Sequence, residues 1–330
     1  MAICEILMGV LRFVLALCVL ISHTPLLTFE IGVVAVVVFY MLAGFVMAHL
    51  YFDVFSSNTH RIRALLLDRL LRIYPLYLYA FCLCSAFVLL CNFHSPHFTL
   101  FNVAAHLLVI PLNYFMFFDF GILQMPFESE LNHLTWSLGA EIQAYGLLLL
   151  GFVFPAFLRL AAALSFAVFL CAIFGIIDTD IYGYRLLVGI FFVFVLGSWQ
   201  KRTRGNATIA FALVVSCAAV LLFGIGKLCG VVFLPYAREV LLGLALAPWL
   251  IALFEHRQWR ANKPLGALSY GIFLTHTPAM WILEVCGIPK MASLEYVGAV
   301  IALAIALALL GIVVVERPIE RYRLRAIPKS

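Results

Sequence analysis

Arg12 and His23 stand in one apolar run, Leu7 to Leu27, eleven positions apart. At about 100° per residue this interval is three turns plus roughly 20°, so both side chains leave one face of a helix. A rise of about 1.5 Å per residue sets them roughly 16 Å apart, about half the thickness of a bilayer's hydrocarbon core. Charged or titratable groups inside a membrane helix cost several kcal/mol unless they face protein or a wet cavity. A two-member stripe therefore suggests a helix that lines a polar path. The plainer alternative is that Arg12 snorkels to one interface and His23 sits near the other.

Three further groupings carry chemistry. Ser137, Glu141 and Tyr145 repeat every four residues and stack on one helix face, just after Trp136. An unpaired carboxylate about two turns into a span is costly, so Glu141 needs a hydroxyl, an arginine such as Arg12, or His23. A structural pair between helices would satisfy it equally. In the stretch Arg61 to Tyr74, Ile62, Leu65, Leu66, Leu70 and Ile73 fall at helical spacing, with Arg61, Asp68, Arg69 and Arg72 off that stripe. This predicts an amphipathic helix lying in the inner interface, with Pro75 opening the next span at its first turn. Arg69 and Arg72, three apart, present two guanidinium forks suited to phosphate oxygens, or else anchor the inner face. Finally, His276 sits midway along an apolar run, with Pro278 two residues on to loosen the helix and free carbonyls. Glu316 precedes Pro318, which ends or bends the last run. No G-x-S-x-G, phosphate-binding loop or H-x-x-x-H motif is present, and no metal site is expected.

The elements that must position these residues are membrane helices. Of 330 residues, 65% are hydrophobic and 11% charged, against about half and a quarter in soluble domains. Mean hydropathy is +1.12. Runs able to cross a bilayer fall at about 7–27, 31–51, 75–92, 136–154, 160–177, 184–200, 207–224, 236–254, 266–285 and 295–315. With both termini cytoplasmic, most of the 21 Lys and Arg lie in inside segments, and the outside loops hold only Lys227 and Lys290. The apolar stretch 101–118, broken by His106, Pro111 and Asn113, would invert every later loop if it crossed, so it is read as a partial segment on the outer side. The expectation is an all-α polytopic membrane protein of about ten transmembrane helices, a single integral-membrane domain over 1–330 with no fused periplasmic domain. The first run is too long for a cleaved signal and should be retained. Among the nine cysteines there is no C-x-x-C pair, and they read as small hydrophobes. The basic residues form no continuous patch, and no nucleic-acid partner is expected.

Taken together these stretches resemble the acyltransferase-3 family of bacterial membrane O-acyltransferases, over nearly the whole chain. Arg12 and His23 fit its R-x10-H pattern. Val38-Phe-Tyr-Met-Leu-Ala-Gly-Phe resembles a second-span signature that usually reads F-F-x-x-S-G-F, with Ala43 where serine is usual. Arg69-Leu-Leu-Arg72 followed by Ile-Tyr-Pro, Trp136-Ser-Leu with Glu141 and Tyr145, Ser269 to His276, and Glu316-Arg-Pro318 match further signatures in order.

The resemblance implies an acyl group, acetyl most often, moved from cytoplasmic acyl-CoA to a hydroxyl of a surface or lipid-linked carbohydrate or glycolipid. It implies His23, Arg12 and Glu141 as the catalytic group, His23 acting as general base or acyl carrier. It implies Arg69, Arg72 and Tyr74 at acyl-CoA, with Trp136, Ser137, Tyr145, His276 and Glu316 in support. Acyl-CoA would be a cosubstrate, with no bound cofactor, and the site of action the bacterial cytoplasmic (inner) membrane, among its lipids. A secondary transporter with a buried Arg, His and Glu pathway is the alternative. No inverted repeat or matching pair of broken spans supports it.

Overall fold

The computed structural model describes residues 8–125, 129–132, 134–230, 234–255, 257 and 259–326. Leu7, Cys4, Glu128, His133 and Lys329 lie outside them. Every regular element among the described residues is helical. In chain order these are α1 (Gly9–Ser22), α2 (Ile31–His49), α3 (Arg61–Leu90), α4 (Leu100–Leu108), α5 (Thr135–Val153) and α6 (Pro155–Ile173). They continue as α7 (Leu187–Gln200), α8 (Asn206–Leu228), α9 (Ala237–Glu255), α10 (Asn262–Val285), α11 (Leu294–Gly311) and α12 (Arg317–Ala326). A helix occupies each of the ten stretches expected to cross, and eight combine the necessary length and apolarity. The chain is a multi-pass membrane protein. The other two helices are α1 and α10. The described part of α1 has 14 residues, roughly 21 Å at about 1.5 Å each, short of a core about 30 Å thick. α10 has 24 residues but carries Asn262, Lys263, Ser269, Thr275, His276 and Thr277.

The middle of the bundle is α2. Its sequence is apolar on every side, the mark of a helix with no outward face, and all its residues but Ile31 and Phe39 are buried. α1, α7 and α9 pack around it. The crossing with α7 is close because each helix offers a glycine. A Cβ on Gly44 would strike the backbone of Phe194, and one on Gly197 would strike the backbone of Met41. α8 is the opposite case, with Leu213, Val214, Val220, Leu221 and Leu228 exposed on an outer face suited to lipid.

Two expectations for the arginine stretch are corrected. The interfacial helix and the third span are one continuous helix, α3, with Pro75 inside it rather than at its start. The first-turn role expected of Pro75 belongs to Pro155, which opens α6 directly after α5. The apolar stripe of the N-terminal half of α3 is split, with Leu65 and Ile73 buried against the protein. Ile62, Leu66 and Leu70 are exposed, whereas Asp68 is completely buried and Arg69 and Arg72 are largely so. In a bilayer the polar residues turn inward to find partners and the leucines face out.

The stretch 101–118 forms the nine-residue α4 and a 3₁₀ turn, Ile110–Tyr114, neither long enough to cross. Three π-helical turns, Leu50–Val54, Ile181–Arg185 and Ile312–Glu316, extend or precede long helices. Their wider i→i+5 bonds, such as Leu186 N–H to the Ile181 carbonyl at 2.7 Å, shift the helical face by about one residue. Two of the three end on a charged residue of the polar interior, Arg185 and Glu316.

Candidate active site

Polar side chains of α1, α3, α5 and α10 meet in two adjoining chambers. The smaller, about 130 Å³, is lined by Arg12, Tyr40, Ala43, Arg69, Arg72, Ser137, Glu141, Tyr145, Ser269 and Tyr270, among others. Three separate elements, α1, α3 and α5, thus deliver Arg12, Arg69, Arg72, Ser137, Glu141 and Tyr145 to one space. Three guanidinium groups face one carboxylate there, so the chamber is electropositive.

Arg69 and Arg72 of α3 are each held by an acid. Both Nε and Nη2 of Arg69 donate to Asp68 Oδ2, at 3.2 and 2.6 Å. Arg323 of α12 stands 3.7 Å from the other oxygen of Asp68. Arg72 is ion-paired with Glu316, and its Nη2 donates to the Gly266 carbonyl at 3.3 Å. A guanidinium has five N–H donors, so such clamps leave others to face the chamber. The Tyr145 hydroxyl donates to the Glu141 carboxylate from the next turn of α5, and Glu141 lies within electrostatic reach of Arg12 and Arg69. Tyr74 is placed elsewhere: its hydroxyl donates to the Leu108 carbonyl at 3.0 Å, away from the chamber wall.

The larger chamber, about 940 Å³, contains His23 at the end of α1, with Trp136, Glu30, Asp180, Tyr184, Arg185 and Tyr236 on its walls. Asp180 accepts from Arg185 Nε at 2.5 Å. The Arg185 guanidinium lies over Trp136, 5.0 Å from the ring centroid, and over Tyr236 at 5.8 Å. The two chambers share Val36, Ser137 and Phe273 as a common wall. Arg12 lines one and His23 the other, so the single stripe on α1 runs through both.

His276 flanks this wall one turn after Phe273, its ring 5.5 Å from that of His23 and tilted by 32°. Completely buried, it places Nδ1 3.0 Å from the Ile272 carbonyl. A carbonyl only accepts, so Nδ1 carries the hydrogen and Nε2 presents a lone pair. Nearby, Pro278 has no N–H to offer the Leu274 carbonyl four residues back. Asn132 Nδ2 donates to that carbonyl instead, at 3.0 Å, tying the loop before α5 to the middle of α10.

Asp68, Tyr40 and Arg185 were not singled out from sequence. Asp68 had a signal, an acid set directly beside the arginine pair on a helix entering the membrane. Tyr40 stood inside the second-span signature, where phenylalanine is usual, and Arg185 had no signal, since single polar residues at the ends of apolar runs also occur as anchors.

A family model described as an acyltransferase domain matches residues 8–315. An uncharacterised protein of Aquifex aeolicus (strain VF5) is 32% identical over 201 residues, which covers 57% of this chain and 88% of that one. No solved structure matches the chain.

Proposed function

The chain belongs to the acyltransferase-3 family and is a membrane acyltransferase; from that premise we propose that it carries an acetyl group from acyl-CoA to a hydroxyl of a cell-surface or lipid-linked carbohydrate. The observation that carries this reading is the pair of chambers sharing Val36, Ser137 and Phe273, one electropositive and one containing His23.

Arg69 and Arg72 take the phosphates of coenzyme A, because fixed guanidinium forks bind phosphate oxygens by charge-assisted hydrogen bonds. Asp68 and Glu316 hold those forks in place before the donor arrives. The slender pantetheine end continues into the arginine chamber toward Arg12. A space of about 130 Å³ suits a two-carbon acyl group better than a long chain. Arg12 polarises the thioester carbonyl, with Glu141 balancing its charge.

The acceptor hydroxyl enters from the histidine chamber. His23 removes its proton as the oxygen attacks the carbonyl carbon, the carbon–sulfur bond breaks, and the proton leaves with the thiolate as free coenzyme A. The alternative route has His23 attack first and pass the acyl group on as an acyl-histidine, and the same geometry serves both. The ring of His276 packs 5.5 Å from that of His23 and limits how it can turn. With the basic start of α3 on the cytoplasmic side, the donor enters from the cytoplasm of a bacterium and the acceptor from the outer face of its inner membrane.

The test compares wild-type and His23→Ala strains for ester-linked acetate on purified surface polysaccharide, at matched protein levels in the membrane. Loss of the ester in the variant is the expected result. Unchanged acetate would overturn the assignment of His23.

A further inference from the structure

Arg323 lies in α12, past residue 315, where the family match ends. It shares a face of that helix with Glu320, three residues earlier. The shared face ties α12 to two other helices. Glu320 stands 2.9 Å from Lys263 Nζ of α10, and Arg323 Nε stands 3.7 Å from Asp68 Oδ1 of α3. Arg323 is 3% exposed and Asp68 is completely buried, so water and salt screen this pair only weakly. Asp68 therefore serves two arginines at once. Its Oδ2 accepts from Nε and Nη2 of Arg69, while its Oδ1 faces Arg323.

The charges around the arginine pair can be counted. Asp68 offsets Arg69, and Glu316 offsets Arg72, so these four groups together carry no net charge. Lys263 and Glu320 likewise offset each other. A site for phosphates needs an excess of positive charge, because the strong hydrogen bonds to phosphate are the charge-assisted ones. Arg323, the second cation on Asp68, supplies that excess. We propose that Arg323 is a positioning residue for the donor, acting through Asp68. It offsets the charge of that acid, so that Asp68 holds the fork of Arg69 without cancelling it, and Arg69 keeps its charge for the phosphates of coenzyme A. Arg323 itself is not among the residues lining the chamber. The assignment rests on the reading of Arg69 and Arg72 given above.

The test is equilibrium titration of the purified full-length protein in detergent with coenzyme A. Wild type is compared with Arg323→Met, with Arg323→Lys, and with the double variant Asp68→Asn, Arg323→Met. The expected Kd is about tenfold higher for Arg323→Met, which removes the charge and keeps the apolar stem. Arg323→Lys keeps the charge and should stay within about threefold of wild type. The double variant should return to within about threefold as well, because the acid that Arg323 offsets is gone. Removing both buried charges also spares the fold the cost of leaving one unpaired. Where Arg323→Met does not fold, the double variant therefore decides alone, a tenfold loss overturning the proposal and a near-normal Kd supporting it. An unchanged Kd in Arg323→Met overturns the proposal. Equal weakening in Arg323→Met and in either Arg323→Lys or the double variant overturns it too, since Arg323 would then act by docking α12 and not by its charge on Asp68. Failure of the wild type to bind coenzyme A overturns the donor reading itself and takes this assignment with it.

Discussion

Arg72 and Glu316 form an ion pair across 244 positions of sequence, joining the middle of α3 to the π-helical turn that follows α11. Both side chains are mostly buried, at 17% and 13% exposure. Glu316→Gln would leave the guanidinium beside a neutral amide in a largely dry setting. Breaking a buried pair from one side costs about 3 kcal/mol, because the remaining charge stays desolvated. The expected outcome is a clear fall in the midpoint of thermal unfolding in detergent. The double variant Arg72→Met, Glu316→Leu should recover most of that stability while still failing to use acyl-CoA.

Arg69→Ala and Arg72→Ala should each weaken binding of coenzyme A. A charge-assisted hydrogen bond to phosphate contributes about 1.5 to 3 kcal/mol, equivalent to roughly ten- to a hundredfold in affinity. Equilibrium titration of the purified protein with coenzyme A measures it directly. Dephospho-coenzyme A, titrated in parallel, reports whether either arginine reads the ribose phosphate. Unchanged affinity in both variants would remove the two arginines from the donor site.

Asn132 and Pro278 should be coupled energetically. Asn132→Ala leaves the Leu274 carbonyl with neither its helical donor nor its replacement, at a cost of about 1 to 3 kcal/mol. Pro278→Ala restores an N–H at the position that normally pairs with that carbonyl, so the second change should cancel most of the first. A double-mutant cycle of unfolding free energies reads the interaction. Additive effects would mean that the 3.0 Å contact between the Asn132 amide and Leu274 carries no stability.

His106 should make the region around α4 sensitive to acid. Its Nδ1 stands 2.8 Å from the Asn102 carbonyl, and its Nε2 accepts from the Leu131 N–H at 3.3 Å, which together require the neutral ring. Burial holds its pKa below the ordinary value of 6.5, the bond to Asn102 opposing that only in part. The unfolded chain therefore takes up this proton first as pH falls. Stability from the neutral ring is complete above about pH 6.5 and is lost below it, down to the lowered pKa of the folded state. Wild type should lose more of its unfolding midpoint between pH 7.5 and 5.5 than His106→Leu does. Parallel slopes would contradict this.

The comparison between sequence and structure turns on a few residues. Arg12 and His23 were legible because helical periodicity is a local rule, and the same rule stacked Ser137, Glu141 and Tyr145. In the arginine stretch it marked a single apolar stripe, which the structure splits, burying Leu65 and Ile73 and turning Leu66 and Leu70 outward. Periodicity finds two faces of a helix and cannot say which one meets the protein. Pro75 was misplaced for a related reason, since a proline inside a long packed helix and a proline at a helix start leave the same trace in the sequence.

By itself the sequence determined that this chain is a helical membrane protein, and which residues share a face of each helix. Those properties follow from composition and from a repeat of about 3.6 residues, both carried within a single segment. Only the tertiary structure decided that α1, α3, α5 and α10 bring their polar faces to one pair of chambers. It also decided that Asp68 and Glu316 clamp the arginine pair. These depend on how segments far apart in sequence rotate and cross, and close crossings such as that of Gly44 with Phe194 set those angles by contact between backbones.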